Sequence, residues 1–77
     1  MITVIARLSP EDLPRLRMVT ARENTRVKHP ECYSKEEFVA EEMDFFRFTG
    51  EMIEKYEIDA TREWRMSPYT GAIWYDE

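Results

Sequence analysis

The spacing of apolar positions changes several times along the chain, and each change marks an element. Ile2–Leu8 reads I-T-V-I-A-R-L, β-branched and apolar throughout apart from its arginine. This predicts a buried strand, with a ragged N-terminal helix as the competing reading. Ser9-Pro10-Glu11-Asp12 then signals a helix start: serine caps, proline suits the first helical position, and acids suit the positive helix end. Pro14 would clash deep in a helix. With Asp12 as the cap it falls in the first turn, where its missing N–H costs nothing. The helix is expected to run to about Val27, with a thin stripe of Leu13, Leu16, Val19 and Val27. Pro30 ends it, and His29–Tyr33 reads as a connector.

The next segment carries the clearest local signature. Ser34 followed three residues on by Glu37 is a capping box, with Tyr33 and Phe38 placed as a hydrophobic staple. Apolar positions then follow heptads: Phe38, Phe45, Met52 and Val39, Phe46, Ile53, joined by Met43 and Tyr56. Glu37, Glu41, Asp44 and Glu51 are expected on the opposite side, and the helix should stop near Tyr56. Gly50 inside it costs about 1 kcal/mol against alanine, so a close-packed neighbour is expected there. The tail reads as a hairpin: strands Ala60–Met66 and Ala72–Tyr75 around the turn Ser67-Pro68-Tyr69-Thr70-Gly71, with Gly71 supplying a positive φ. Which hairpin face is buried is open at this point.

The order strand, helix, helix, strand, strand predicts an α+β fold, with a three-stranded antiparallel or mixed sheet packed by two helices. Residues 1–77 form one small domain on this reading. So short a chain buries only about 60% of its unfolded surface, so its ten aromatic residues and five methionines have to be used efficiently. Self-association is another route to buried area. The net charge of −5 hides an asymmetry: residues 1–30 carry +3 and residues 31–77 carry −8. Such a chain can pair with itself or offer either sign to a partner.

Several chemistries are excluded or unsupported. One cysteine forms no internal disulfide, one histidine rules out sites needing two, and two glycines leave no glycine-rich phosphate loop. His29 and Cys32 flank a proline in a connector, and zinc would need two more ligands. The acids of the second helix lack the Glu-x-x-His pairs of a diiron bundle. No catalytic residue, metal site, cofactor or small-molecule substrate is therefore expected. No leader and no apolar run near the roughly 20 residues of a membrane span is seen, so the expected location is cytoplasmic.

What remains is binding. Trp64, Tyr69, Trp74 and Tyr75 crowd the tail, where one hairpin face has to look outward, and tryptophan and tyrosine are favoured at binding hot spots. Phe48 falls among the acids of the second helix, and there it is expected to be exposed. With Glu41 and Asp44 it makes a second candidate patch for a basic partner or for self-association. The rival reading is a nucleic-acid interface: Arg15, Arg22, Arg26 and His29 share a face of the first helix, as phosphate contact requires.

The opening I-T-V-I-A-R-L-S-P-E-D-L-P-R-L resembles the start of GCN5-related N-acetyltransferases, which run from a strand through an acid-Leu-Pro helix start to two helices and a hairpin. The acetyl-CoA signature of that family has no counterpart here. The resemblance thus implies an acetyltransferase-like remnant without activity, and it carries over no site residue. As a small acidic chain with a tryptophan-rich tail, the protein also looks like the short accessory proteins of bacterial viruses, which implies binding to a host protein or a virion role. The expectation is a non-catalytic protein-binding or regulatory module.

Overall fold

A computed structural model describes residues 1–76. The elements are β1 (Ile2–Arg7), α1 (Asp12–Lys28), a single 3-10 turn (Pro30–Cys32), α2 (Lys35–Lys55), β2 (Trp64–Met66) and β3 (Ala72–Asp76). This is the expected α+β order. The sheet is wholly antiparallel in the order β1-β3-β2, so the last strand sits in the middle. β2 is shorter than expected. Ala60–Glu63 lie outside it, in a loop where Asp59 takes N–H and O–H hydrogen bonds from Thr61.

Local chemistry accounts for the element ends. At α1, Ser9 performs the capping: its Oγ accepts from the Asp12 N–H at 3.3 Å, and its carbonyl accepts from Asp12 and Leu13. Asp12 itself opens the helix, and Pro14 falls harmlessly in the first turn. At α2 the capping box is closed in both directions, Glu37 N–H to Ser34 Oγ at 3.1 Å and Ser34 N–H to Glu37 Oε1 at 3.2 Å. Its far end is a Schellman motif: Ile58 N–H reaches the Ile53 carbonyl and Glu57 N–H that of Glu54, with Glu57 at φ +53°. Glutamate thus occupies a position that favours glycine. Gly71 has φ +76°, as the hairpin turn requires, and its carbonyl accepts from the Leu8 N–H at 2.8 Å.

Strand pairing settles the hairpin face. Trp64 and Met66 of β2 pair with Tyr75 and Ile73 of β3, and this face meets the helices. Ile73 is fully buried and Tyr75 nearly so, in a core completed by Leu8, Leu16, Phe48, Met52 and Ile58. A bulge in β1 between Val4 and Ala6 sets Ile5 and Ala6 against that core. By alternation Trp74 lies on the opposite face, across from Val4 of β1 and Arg65 of β2.

Four expectations about the helices are corrected. Phe48 is not exposed among the acids; it is 5% accessible and in the core. The face of α2 that meets the rest of the molecule runs through Phe38, Phe45, Phe48 and Met52, while Val39, Met43 and Phe46 stay open to solvent. α2 therefore has two apolar faces rather than one, and its burial is rotated toward the supposedly acidic side. Gly50 has no close neighbour: nothing lies within 4 Å of where its Cβ would be. In α1, Val27 is exposed and Arg26 takes the inward position, its guanidinium 5.3 Å from the centre of the Phe38 ring.

Candidate functional site

Two regions between the helices differ in kind. At one end the start of α1 meets the end of α2 around Asp12, which is 2% accessible. Its Oδ2 accepts from Lys55 Nζ at 2.6 Å, Tyr56 hydroxyl at 2.6 Å and Ser9 Oγ at 3.1 Å. Its Oδ1 accepts from Arg15 at 3.2 Å, and Arg15 also reaches Glu51 at 2.7 Å. The Tyr56 oxygen meanwhile accepts from the Ser9 N–H at 2.8 Å. The Lys55 ammonium, then the Tyr56 hydroxyl, hold the Asp12 carboxyl far below the usual carboxylate range. Every polar atom of this carboxylate is engaged with the fold's own groups, so the cluster acts as a clamp between α1 and α2. No local motif announces it, because Asp12 and Tyr56 are 44 residues apart.

Further along the helices α1, α2 and the hairpin leave an open cleft of about 630 Å³. Leu16, Val19, Thr20 and Glu23 of α1 form one wall, and Phe45, Phe48 and Thr49 of α2 the other. Trp64, Arg65, Met66 and Trp74 complete the lining. This volume falls in the range of ligand pockets, about 300–1,000 Å³, and the lining is mostly apolar with a few polar groups. A second, shallower depression shares Thr20 with it and is bounded by Arg17, Ala21, Asn24, Pro68 and Tyr69. Tyr69 stands 85% exposed at the turn. Its position is set by Arg17, which donates to the Pro68 carbonyl at 2.8 Å and the Tyr69 carbonyl at 3.3 Å.

The expected binding residues therefore divide. Trp64 borders the cleft and Tyr69 borders the second depression. Trp74, like its neighbour Arg65, belongs to the outer face of the sheet but still contributes to the cleft lining, and its indole Nε1 is shielded from solvent with no hydrogen-bond partner among the described residues. Tyr75 is core: its hydroxyl accepts from the Asp59 N–H at 2.8 Å and Arg62 lies 3.8 Å over its ring. Phe48 reaches the cleft only as part of its buried wall, with Arg15 5.2 Å over its ring. Neither offers a free aromatic to a partner. Glu41 is half-buried beside Tyr33, and it helps to raise the Tyr33 hydroxyl's pKa after desolvation. Asp44 is exposed and paired with Arg47 at 3.2 Å. The acidic patch thus does not gather around an exposed phenylalanine.

The arginine strip is broken up. Arg26 is 5% accessible and directed inward, and Arg15 is tied to Asp12 and Glu51. Of the three, Arg22 alone is exposed without an ion pair among the described residues. Among those residues no group of three or more His, Cys, Asp or Glu side chains is placed to hold a metal ion. Among the described residues no helix is long and apolar enough to cross a membrane. The residues missed by sequence reasoning are Leu16, Val19, Thr20 and Phe45, which belong to elements that were foreseen but meet only in the fold. No protein-family model, curated protein or solved structure matches the chain.

Proposed function

We propose that this chain is a non-catalytic protein-binding module that receives apolar side chains of a partner in the cleft between α1, α2 and the hairpin. The observation that carries the reading is the cleft itself: an open, largely apolar concavity with Trp64 and Met66 at its side, and with a second depression bordered by the exposed Tyr69 on the other side of Thr20. In so small a domain, apolar surface of this kind is a standing cost in water, and a partner's side chain would relieve it. Aromatic residues beside a pocket with a polar rim are the usual anatomy of an interface hot spot. The edge position of β2 supports the reading further. Trp64–Met66 pairs on one side only, so an extended partner segment can lie beside it while its side chains enter the cleft. Action on a host protein, as in the viral accessory proteins the chain resembles in type, is a natural setting for such a module.

The test is a selection of peptides from a random display library on the immobilised protein, followed by titration read by tryptophan fluorescence. Selected peptides should carry aromatic or large aliphatic anchors. Thr20→Arg, which places a long charged side chain at the junction of the two depressions, should abolish binding, and Tyr69→Ala should weaken it about tenfold or more. Peptides that bind the Thr20→Arg protein as well as the wild type would overturn the reading. So would binding dominated by nucleic acid, recognised by a steep loss of affinity with salt.

A further inference from the structure

The solvent side of α2 carries an apolar row that the fold leaves open except at its last member. Val39, Met43 and Phe46 are 51%, 57% and 59% exposed. With the exposed Gly50, and with Ile53, which is half-buried and also packs against the core, they follow one another at steps of four, three, four and three residues. That is the a/d spacing of a coiled-coil seam, a period that suits another helix rather than a sheet or a small molecule. The row lies about 130° around α2 from the core-facing row of Phe38, Phe45, Phe48 and Met52, at 3.6 residues per turn. The two rows are therefore separate faces from Val39 to Gly50, and they converge at Ile53, which packs against the core. Glu36 interrupts the spacing one step before Val39, so the seam spans about 21 Å, or two heptads. A shallow depression beside Val39, bounded by Lys35, Glu36 and Ala40, prolongs the apolar surface into the first turn.

We infer that this row is a self-association seam, and that its occupant is α2 of a second copy, packed parallel and in register. The flanking charges select that arrangement. Glu42 and Arg47 stand five residues apart on the two sides of the seam, the separation at which side chains meet across a parallel pair of helices. A two-fold axis along the seam makes the contact twice, Glu42 of each copy against Arg47 of the other, with no like-charge pair beside it. In the antiparallel alignment that sets Phe46 against Met43 the same residues face threonine and alanine, and the charges are wasted. Arg47 is available for the exchange: its bond to Asp44 spans 3.2 Å on an exposed surface, where such pairs contribute little. Gly50 fits the same picture. Nothing lies within 4 Å of its missing Cβ, so its cost to the helix has no return inside one copy. In the seam it lets two backbones approach closely.

The seam is short, so the dimer belongs at roughly 100 μM rather than at nanomolar concentration. Sedimentation equilibrium of the full chain from about 10 μM to about 1 mM should show the mass rising from one copy to two. Phe46→Glu should hold it at one copy with unchanged circular dichroism, because the side chain is exposed in the single copy. Arg47→Glu should raise the dissociation constant at least about tenfold by setting two carboxylates together. Glu42→Arg combined with Arg47→Glu should restore it. A single-copy mass across the whole series would overturn the proposal, as would a dimer that survives Phe46→Glu. A charge-swapped double variant no tighter than Arg47→Glu would overturn the parallel register. The peptide test of the cleft is independent of all three outcomes.

Discussion

Phe46 and Phe48 stand two residues apart on α2, yet one is 59% exposed and the other 5%. The same side chain in the same helix is surface in one case and core in the other. Both belong to apolar rows of helical period, and both have acids nearby in sequence. The difference arises outside the helix. Leu16 of α1, Ile73 of β3 and Ile58 beyond α2 join the core of which Phe48 is part, and Arg15 covers its ring. Periodicity shows that a face is apolar, but where a helix has two such faces only its neighbours decide which one is buried. The second contrast is between the polar clamp at Asp12, where every group is satisfied, and the cleft beyond it, where apolar groups are left open.

The largest expected effect tests the first contrast. Phe48→Ala should lower unfolding free energy by about 3–5 kcal/mol, the cost of an aromatic lost from a core. Phe46→Ala should stay within about 0.5 kcal/mol, as for a surface position, in urea titrations at dilute concentration. Equal costs would mean that the two faces are not distinct.

Next comes the clamp. Asp12→Ala should cost about 3 kcal/mol. The loss is held below that of a fully buried ion pair because Lys55 and Arg15 are about half exposed and regain water. The pH dependence follows from the direction of the Asp12 shift. Its folded carboxyl titrates below its ordinary value of 3.8, so the stabilisation is complete above about pH 5 and is lost as pH falls through and below 4. Asp12→Ala should flatten that acid limb of the stability curve. An unchanged limb would remove Asp12 as its cause.

Smaller effects sharpen the account of the backbone. Glu57→Gly should stabilise the fold by about 1 kcal/mol, since glycine carries no penalty at φ +53°. Gly50→Ala should also stabilise a single copy by up to about 1 kcal/mol, because the new methyl enters open space. Thermal melts of the two variants are sufficient. A loss at Gly50 under dilute conditions would mean that a neighbour does press on it. The smallest stability effect is expected for Thr20→Arg, within about 0.5 kcal/mol, so its effect on binding can be read directly.

These contrasts also show what could be read from residues alone. The capping box at Ser34 and Glu37, the stop at Tyr56 and the positive φ of Gly71 were all legible, because each is written within a few neighbouring positions. The order of elements and the α+β class followed from them. Arg26 was misplaced because a long aliphatic stem with a charged head can turn inward when an aromatic ring such as Phe38 receives it. Glu57 was missed because the left-handed end of α2 carries no glycine to mark it. The clamp and the cleft escaped for a common reason: each is made by residues from separated elements. Two aromatics of the expected surface do border concave surfaces, Trp64 the cleft and Tyr69 the depression beside it, since large amphipathic side chains on a short hairpin have few places to hide.

The most direct test of the central claim sets the two open surfaces against each other. A peptide selected on the wild-type chain is titrated into wild type, Thr20→Arg and Phe46→Glu at a concentration where each is a single copy. Thr20→Arg should lose binding while Phe46→Glu should match the wild type. Binding that survives Thr20→Arg and disappears with Phe46→Glu would contradict that claim, and would make the outer face of α2 the partner site in place of the cleft.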